Sequence, residues 1–197
     1  ILLILSPLFT SCNRVGTKSS IQSDKPSYSV NTPTFNADSA YEYVAKQVAF
    51  GPRIPNSEAH RACGDYLVEQ LKKFGAHVEE QCDVVDAFDG TPLNMRNIIG
   101  SYQTENRKRI LLCAHWDCRP WADNDPDNKN HLTPVDGAND GASGVGILLE
   151  VARQIQIKQP QLGIDIIFFD VEDYGVPQFM PEIDSNNSWC LGSQYWA

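Results

Sequence analysis

Apolar residues recur with the period of an α-helix in three segments of the chain. These segments span residues 35–50, 57–75 and 141–158, and a fourth helix starts at Trp189 and runs to Ala197. Asn36 is one candidate cap for the first helix, and Ser39 in a capping box with Glu42 is the other. Each long helix has an apolar face, which predicts packing against a sheet or another helix.

Four other segments have the pattern of β-strands. Residues 77–85 and 93–102 are separated by a turn at 89–92, which predicts an antiparallel pair. Residues 110–114 and 164–169 are apolar throughout, which predicts strands buried on both faces, the first of them central in the sheet. A helix joins these two strands, so they are expected to run parallel. The predicted fold is an α/β three-layer sandwich with a central mixed β-sheet.

Residues that suit metal chemistry follow both apolar strands and open the helix between them. They are His115, Asp117, Asp140, Asp170, Glu172 and Asp173. The carboxyl ends of parallel strands meet at one edge of a sheet, where sites gather, so these side chains are expected to lie together. Imidazole and carboxylate groups are the ligands that zinc hydrolases and transferases use, with one carboxylate left free as a base.

Each of these residues also has an ordinary structural interpretation. His115 and Asp117 are two apart in an extended segment, so both face the same way, and Asp117 can orient a metal ligand. Alternatively, His115 is a buried histidine bonded to carbonyl groups. Asp140 is either a metal ligand or a helix cap. Glu172 and Asp173 can divide the work, one binding metal and the other transferring protons.

Composition and charge exclude some functions. The 197 residues suggest one domain, and the 42% hydrophobic content supports a core. The formal net charge of −9 argues against nucleic acid, because phosphate binding needs clustered Lys and Arg. An acidic field of this kind instead attracts a cationic substrate.

The N-terminal segment has the pattern of an export signal. Residues 1–9 are apolar, uncharged and too short to span a bilayer, as in a signal peptide. Thr10-Ser11-Cys12 resembles a bacterial lipobox, so residues 1–12 predict a lipoprotein signal peptide with Cys12 as the lipidated residue. Residues 13–34 predict a flexible tether, and the expected location is the bacterial envelope, periplasmic or as an outer-membrane lipoprotein. The five other cysteines are odd in number, so at least one is free or pairs elsewhere.

Several motifs together resemble those of a known family of enzymes. They are His115-Trp116-Asp117, residues 137–144, residues 168–173 and Leu191-Gly192-Ser193. Their order resembles that of the co-catalytic zinc aminopeptidases and the related glutaminyl cyclases. Residues 119–123, the long acidic loop, the Glu172-Asp173 pair and residues 189–196 resemble the bacterial glutaminyl cyclases in particular.

The resemblance implies roles for the residues that match. Asp140 and Asp173 would bind zinc, and Glu172 would be the acid and base. In the two-zinc aminopeptidases, His115 would bind the second metal and Asp140 would bridge both; in the cyclases one zinc is usual. We therefore predict Glu172 and Asp117 as catalytic and Asp140, Asp173 and His115 as metal ligands. The family's further histidine ligand and further catalytic aspartates lie downstream of these motifs. Residues 35–197 are therefore expected to be the N-terminal part of a C-terminally truncated catalytic domain, and to be inactive by themselves.

Three functions remain open at this stage. The first is a zinc-dependent cyclotransferase that converts N-terminal glutamine of peptides to pyroglutamate and ammonia. The second is a two-zinc aminopeptidase, and the third is a non-catalytic surface lipoprotein that uses the same fold. Candidate walls of the substrate pocket are Trp116, Trp121, Phe179 and Trp189, although for any single one of them an ordinary core aromatic is the favoured interpretation. The expected partners are peptides or proteins with a free N-terminal glutamine, with membrane contact only through the lipid anchor, and a monomer is expected.

Overall fold

The computed structural model describes residues 31–197. The predicted signal peptide, the lipidation site Cys12 and nearly all of the tether lie outside the described residues. Four α-helices are present in this range: α1 (Ala37–Val48), α2 (Glu58–Lys73), α3 (Ala142–Ile157) and α4 (Leu191–Trp196). No helix within residues 31–197 is both long enough and apolar enough to cross a membrane.

A mixed four-stranded sheet organises the chain. Its strands are β1 (His77–Asp86), β2 (Pro92–Tyr102), β3 (Arg109–His115) and β4 (Gly163–Phe169), in the spatial order β1-β2-β4-β3. β1 pairs antiparallel with β2, and β2 pairs antiparallel with β4. β3 and β4 are parallel and joined through α3. The predicted mixed sheet and the predicted βαβ unit are therefore confirmed.

Helices flank the sheet on both faces. α2 packs on β1 and β2, α3 packs on β3, and α1 packs on α3. Ile98 and Tyr102 of β2 join the main core with these helices, whereas Leu93 and Met95 of the same strand join a second cluster with Leu191 of α4. Because alternate residues of a strand face opposite sides, α4 covers the opposite face from α2 and α3. This arrangement matches the predicted three-layer sandwich.

The structure decides between the two candidate caps of α1 and corrects the start of the last helix. Asn36, and not Ser39, caps α1, because its side chain accepts the Ser39 N–H at 2.9 Å and so satisfies a donor of the first turn. The last helix begins at Leu191 rather than at Trp189, because Cys190 adopts a left-handed conformation with φ of 59° just before it.

The prediction that β3 is central and buried on both faces is wrong for the described part of the chain. β3 lies at one edge of the sheet, and Ile110 and Leu111 keep 45% and 44% of their surface exposed. Cys113, expected in the core, is also exposed. A run of apolar residues indicates affinity for a buried environment, but it does not say which strand pairs on both sides. Here β4 takes that position.

Candidate metal and catalytic site

The parallel pairing of β3 and β4 brings the two acidic segments side by side. His115, the last residue of β3, is the register partner of Phe169, the last residue of β4. The ladder continues one residue further, since the Trp116 N–H donates to the Phe169 carbonyl at 3.0 Å. Asp117 and Asp170 therefore leave the sheet together, as expected for the carboxyl ends of parallel strands.

His115 lies between two carboxylates. Its Nε2 is 2.9 Å from Asp140 Oδ1, and its Nδ1 is 3.3 Å from Asp117 Oδ1. Burial lowers the pKa of His115, but the hydrogen bonds and charges of Asp117 and Asp140 outweigh it and raise the pKa to about 9. Without a metal ion, His115 is therefore protonated at neutral pH and donates from both nitrogens.

Asp117 connects the segment that follows β3 with the segment that follows β4. Its side chain is fully buried. While Oδ1 faces His115, Oδ2 accepts the backbone N–H of Asp173 at 3.1 Å. Asp117 thus fixes the position of the Asp173 backbone and the His115 ring at once, which agrees with its predicted role of orienting ligands.

Asp173 and Asp140 line one cavity of 430 Å³. Burial and the charges of Asp117 and Asp140 together raise the pKa of Asp173 to about 7, against the opposing effects of Arg119 and His115. A carboxyl group with this pKa is close to half protonated at neutral pH. Burial is the largest cause of this shift, and the charges of Asp117 and Asp140 add to it because Arg119 and His115 do not fully offset them.

Glu172 is held by the first turn of α4. Its Oε1 accepts the Ser193 N–H at 2.7 Å and its Oε2 accepts the Ser193 hydroxyl at 2.9 Å. Burial raises the pKa of Glu172, although these two hydrogen bonds act in the opposite direction. A carboxyl group that is half-buried, fixed in direction and raised in pKa is a candidate for proton transfer.

A glycine turn carries Asp140 to the site. Gly141 has a φ of +91°, and a Cβ at that position would lie 2.7 Å from the Asp117 carbonyl oxygen. α3 begins after Gly141 without any side-chain cap. Asp140 is therefore free of the capping role that was its structural alternative, and 72% of its side chain is exposed beside His115.

Arg53 fixes both ends of the loop that leads to this turn. Its side chain is fully buried and donates to three backbone carbonyls: Trp116 at 3.2 Å, Asp136 at 2.7 Å and Gly137 at 2.7 Å. The Cys118 N–H returns a hydrogen bond to the Arg53 carbonyl at 3.2 Å. Arg53 could not be recognised from the sequence, since one arginine after Gly51-Pro52 shows no periodicity or motif.

Arg119 was also missed, although it builds one wall of the cavity. It pairs with the buried Asp123 through Nε at 2.6 Å, and its guanidinium lies 4.5 Å from the ring centre of Trp189 and 5.6 Å from that of Trp121. Trp121 lines the same cavity. The arginine side chain therefore stacks against both tryptophans beside the acidic cluster.

Three of the four candidate aromatic residues do not line the 430 Å³ cavity. Trp116 is fully buried, and its ring stacks on His60 with 4.2 Å between ring centres, so it is a core residue. Phe179 stacks on His131 and is not among the residues that line the 430 Å³ cavity. Trp189 also does not line it directly, but it contacts the cavity through Arg119. Large aromatic residues mark buried surface, and the sequence does not distinguish a pocket from the core.

The ligand chemistry of this site fits zinc. No three His, Cys, Asp or Glu side chains between residues 31 and 197 stand close enough together to hold a metal ion. However, the His115 imidazole touches Asp140, and Asp173 lines the same cavity. A divalent cation here would offset the carboxylate repulsion that raises the pKa of Asp173.

Comparisons with known proteins agree with this geometry. Residues 97–197 match the model of Peptidase family M28. A glutaminyl cyclase from Bacteroides thetaiotaomicron, whose structure was solved with N-acetylhistamine, is 63% identical with a TM-score of 0.83; the match covers 84% of this chain and 57% of that one. A Zn-dependent exopeptidase from Parabacteroides distasonis is 63% identical with a TM-score of 0.83, over 84% and 56% of the two chains.

A third solved structure extends the pattern. The glutaminyl cyclase of Tannerella forsythia is 59% identical with a TM-score of 0.82, and the match covers 83% of this chain and 56% of that chain. The present chain therefore spans less than two thirds of each of these relatives. The resemblance inferred from the motifs is confirmed, and so is the zinc-exopeptidase-like fold.

Proposed function

The chain belongs to peptidase family M28, and from this premise we propose that it acts as a zinc-dependent glutaminyl-peptide cyclotransferase. The reaction closes the N-terminal glutamine of a peptide into pyroglutamate and releases ammonia. The observation that carries the proposal is Glu172, a fixed and half-buried carboxyl group with a raised pKa. It directly precedes Asp173, which lines the cavity together with Asp140. The similarity to two glutaminyl cyclases at 59% and 63% identity supports it.

Asp140 and Asp173 would hold the zinc ion, with His115 beside them. A bound zinc ion acts as a Lewis acid that polarises the carbonyl of the glutamine side chain. Asp117 keeps the Asp173 backbone and the His115 ring in place through its two oxygens. The ligands are thereby oriented before the substrate arrives, which limits the reorganisation that the reaction requires.

Glu172 would transfer the proton. The substrate α-amine attacks the side-chain carbonyl carbon, a C–N bond closes the five-membered ring, and the C–NH₂ bond breaks. Glu172 accepts a proton from the attacking amine and returns it to the departing nitrogen, which leaves as ammonia. The nucleophile belongs to the substrate, so no water needs activation, and holding the glutamine in a folded rotamer supplies much of the acceleration.

The cavity suits such a substrate. Its acidic residues attract the cationic N-terminus of a peptide, and Trp121 provides an apolar wall for the glutamine side chain. We propose peptides or proteins with a free N-terminal glutamine as substrates. The expected partner is a small, flexible chain terminus, so a monomer suffices.

A substitution of Glu172 tests the assignment. In a full-length version of the protein, Glu172→Gln keeps the size and the acceptor toward Ser193 but removes the titrating group, so turnover of a Gln-peptide is expected to fall at least about a hundredfold. Bound zinc, measured by mass spectrometry of the purified protein, is expected to stay unchanged. The matched control is Glu182→Gln on the surface, which is expected to keep full activity. Near-normal ammonia release from the Glu172→Gln protein would refute the role.

A two-zinc aminopeptidase is the second candidate. It is favoured by the direct contact of His115 with Asp140, since a bridging carboxylate and a neighbouring histidine are what a second metal needs. The Zn-dependent exopeptidase from Parabacteroides distasonis gives it further support. The products separate the two candidates: a cyclase yields ammonia and a pyroglutamyl peptide, whereas an aminopeptidase yields a free amino acid and carries two zinc ions per chain. Absence of zinc and of both products would favour the non-catalytic binding protein.

We also propose that the protein is a lipoprotein of the bacterial cell envelope. This rests on the apolar residues 1–9 and the lipobox-like Thr10-Ser11-Cys12. Expressed in a bacterial host behind a basic start segment, the chain is expected to incorporate labelled palmitate and to fractionate with membranes. Cys12→Ala should abolish both, whereas Cys190→Ala should abolish neither.

A further inference from the structure

A buried histidine–aspartate pair lies behind the catalytic segment and is used by no step of the proposed reaction. His60, in the first turn of α2, places Nε2 2.8 Å from Asp170 Oδ1. Asp170 is fully buried, and the His60 side chain is 6% exposed. The two residues are 110 positions apart in the sequence. Two buried ionisable groups at this distance cost desolvation energy, so their presence calls for a specific role.

Every oxygen of the Asp170 carboxylate is engaged. Oδ1 accepts from the Val171 N–H at 2.8 Å as well as contacting His60, and Oδ2 accepts from the Arg96 N–H at 2.7 Å. Asn97 Oδ1 accepts the Asp170 N–H at 2.9 Å. The carboxylate therefore holds β2, α2 and the residue that follows it in one fixed arrangement.

The residue that follows is strained. Val171 has a φ of 52°, in the left-handed region that a β-branched side chain rarely adopts. Its side chain is fully buried against Ala87, Leu93 and Met95. Such a conformation persists only where the surroundings impose it, and it is the conformation that turns the chain from β4 toward Glu172 and Asp173.

The turn at Val171 also sets the position of α4. The Val171 carbonyl accepts the Leu191 N–H at 3.0 Å, and the Glu172 carbonyl accepts the Cys190 N–H at 3.0 Å. These two hydrogen bonds place Ser193 where its N–H and hydroxyl reach the Glu172 carboxylate. A change of φ at Val171 would therefore move Glu172 and its Ser193 partner together.

We propose that His60 and Asp170 form a positioning pair that holds Val171 in its left-handed conformation and so directs Glu172 and Asp173 into the site. His60 fixes the Asp170 carboxylate by its Nε2 and by stacking its ring on Trp116, whose indole N–H donates to the Arg96 carbonyl at 3.3 Å. Asp170 in turn holds the Val171 N–H. The catalytic readout of this pair rests on the proposed function.

The first test removes the contact and keeps the ring. His60→Phe preserves the stack on Trp116 but loses the donor to Asp170. We expect kcat on a Gln-peptide to fall about ten- to a hundredfold, with KM within about threefold, because misplacement of the reacting groups affects the chemical step more than binding. His60→Gln, whose amide can reach Asp170, is expected to recover most of kcat. An unchanged kcat in folded His60→Phe protein would overturn the proposal.

The second test asks whether the backbone conformation is what matters. Glycine adopts positive φ without strain, so Val171→Gly in the His60→Phe background is expected to raise kcat at least about threefold over His60→Phe alone. Leu93→Ala in the same background makes a comparable cavity in the same apolar cluster and should give no recovery. Failure of Val171→Gly to exceed Leu93→Ala would contradict the proposed route through φ. If His60→Phe does not fold, His60→Gln and His60→Asn replace it, and only the shorter Asn is expected to lose kcat.

The third test does not depend on turnover. In the full chain with its metal, hydrogen exchange is expected to speed up at residues 170–173 and 190–193 in His60→Phe and to stay unchanged in α1. Uniform acceleration across the chain, or none at residues 170–173, would overturn the positioning role. If the unsubstituted protein forms no pyroglutamate, the proposed function fails, and the exchange pattern still decides whether the pair holds the turn.

Discussion

At the scale of single residues, the site is defined by several carboxyl groups that have few positively charged side chains near them. Asp173 shows this most clearly, because burial and the charges of Asp117 and Asp140 raise its pKa to about 7. Arg119 approaches it only to 3.9 Å and is already paired with Asp123. Without metal, the folded state therefore holds a proton on Asp173 that the unfolded chain would release from about pH 4 upward.

This raised pKa predicts a specific dependence of stability on pH. The folded state binds more protons than the unfolded state between about pH 4 and 7, so the contribution of Asp173 to stability falls as pH rises through that window. With chelator present, Asp173→Asn is expected to reduce the loss of unfolding free energy between pH 5 and pH 8 by about 2 kcal/mol. Denaturant unfolding at the two pH values measures it. Exposed Asp184→Asn is the control, and an equal effect of both substitutions would contradict the assignment.

At the scale of elements, the turn before α3 decides where Asp140 lies. Gly141 combines a φ of +91° with a close approach to the Asp117 carbonyl. Gly90 has a similar φ of +79°, but nothing lies within 4 Å of the place where a Cβ would be. Substitutions at the two glycines therefore separate the free-energy cost of a positive φ from the free-energy cost of placing a Cβ against the site.

Alanine substitutions at these two glycines are expected to behave differently. Gly90→Ala carries the cost of positive φ alone, about 1–2 kcal/mol of unfolding free energy, with normal zinc content and turnover. Gly141→Ala is expected to cost more and to lower zinc content and kcat, because its methyl group pushes on the Asp117 segment. Melting curves, bound zinc and turnover measure the three quantities. Equal zinc content and turnover in the two folded variants would show that the turn does not place Asp140.

The elements themselves could be predicted because their signals are local. Apolar periodicity placed α2 and α3, and the polar residues after β3 and β4 placed the acidic cluster at one edge of the sheet. His60 could not be assigned in this way, because its partner Asp170 lies 110 residues away and a lone histidine near a helix start has no distinctive pattern. Arg53 escaped for the same reason, since its partners are backbone carbonyls that any residue supplies.

At the scale of the whole molecule, one edge of the sheet is exposed in the described part of the chain. β3 is an edge strand, and its side chains at Ile110 and Leu111 are nearly half exposed. An edge with apolar side chains and unpaired backbone groups favours pairing with another chain. The sequence predicted β3 as a buried strand because its composition is apolar, and we expect the same composition to favour association of the 197-residue chain.

Charge on that edge is expected to oppose association. Leu111→Lys should lower the concentration-dependent increase in sedimentation coefficient of the 197-residue protein, because a lysine disfavours edge-to-edge pairing. Leu132→Lys is the matched control, since Leu132 is 74% exposed but lies in a loop. If both substitutions reduce association equally, net charge and not the β3 edge is responsible. If neither the two variants nor the unsubstituted protein associates, the expectation of a monomer stands.

Arg53 has a consequence for how this protein can change. Its side chain donates hydrogen bonds to the Trp116 carbonyl at the start of the acidic loop and to the Asp136 and Gly137 carbonyls at its end. Arg53 therefore holds the two ends of the loop that contains Trp121 and Asp123 close together. The position of Asp140 then does not depend on the length or composition of that loop. Substitutions, insertions and deletions in this loop can therefore change the entrance of the cavity during evolution, while the carboxylates beneath it keep their positions.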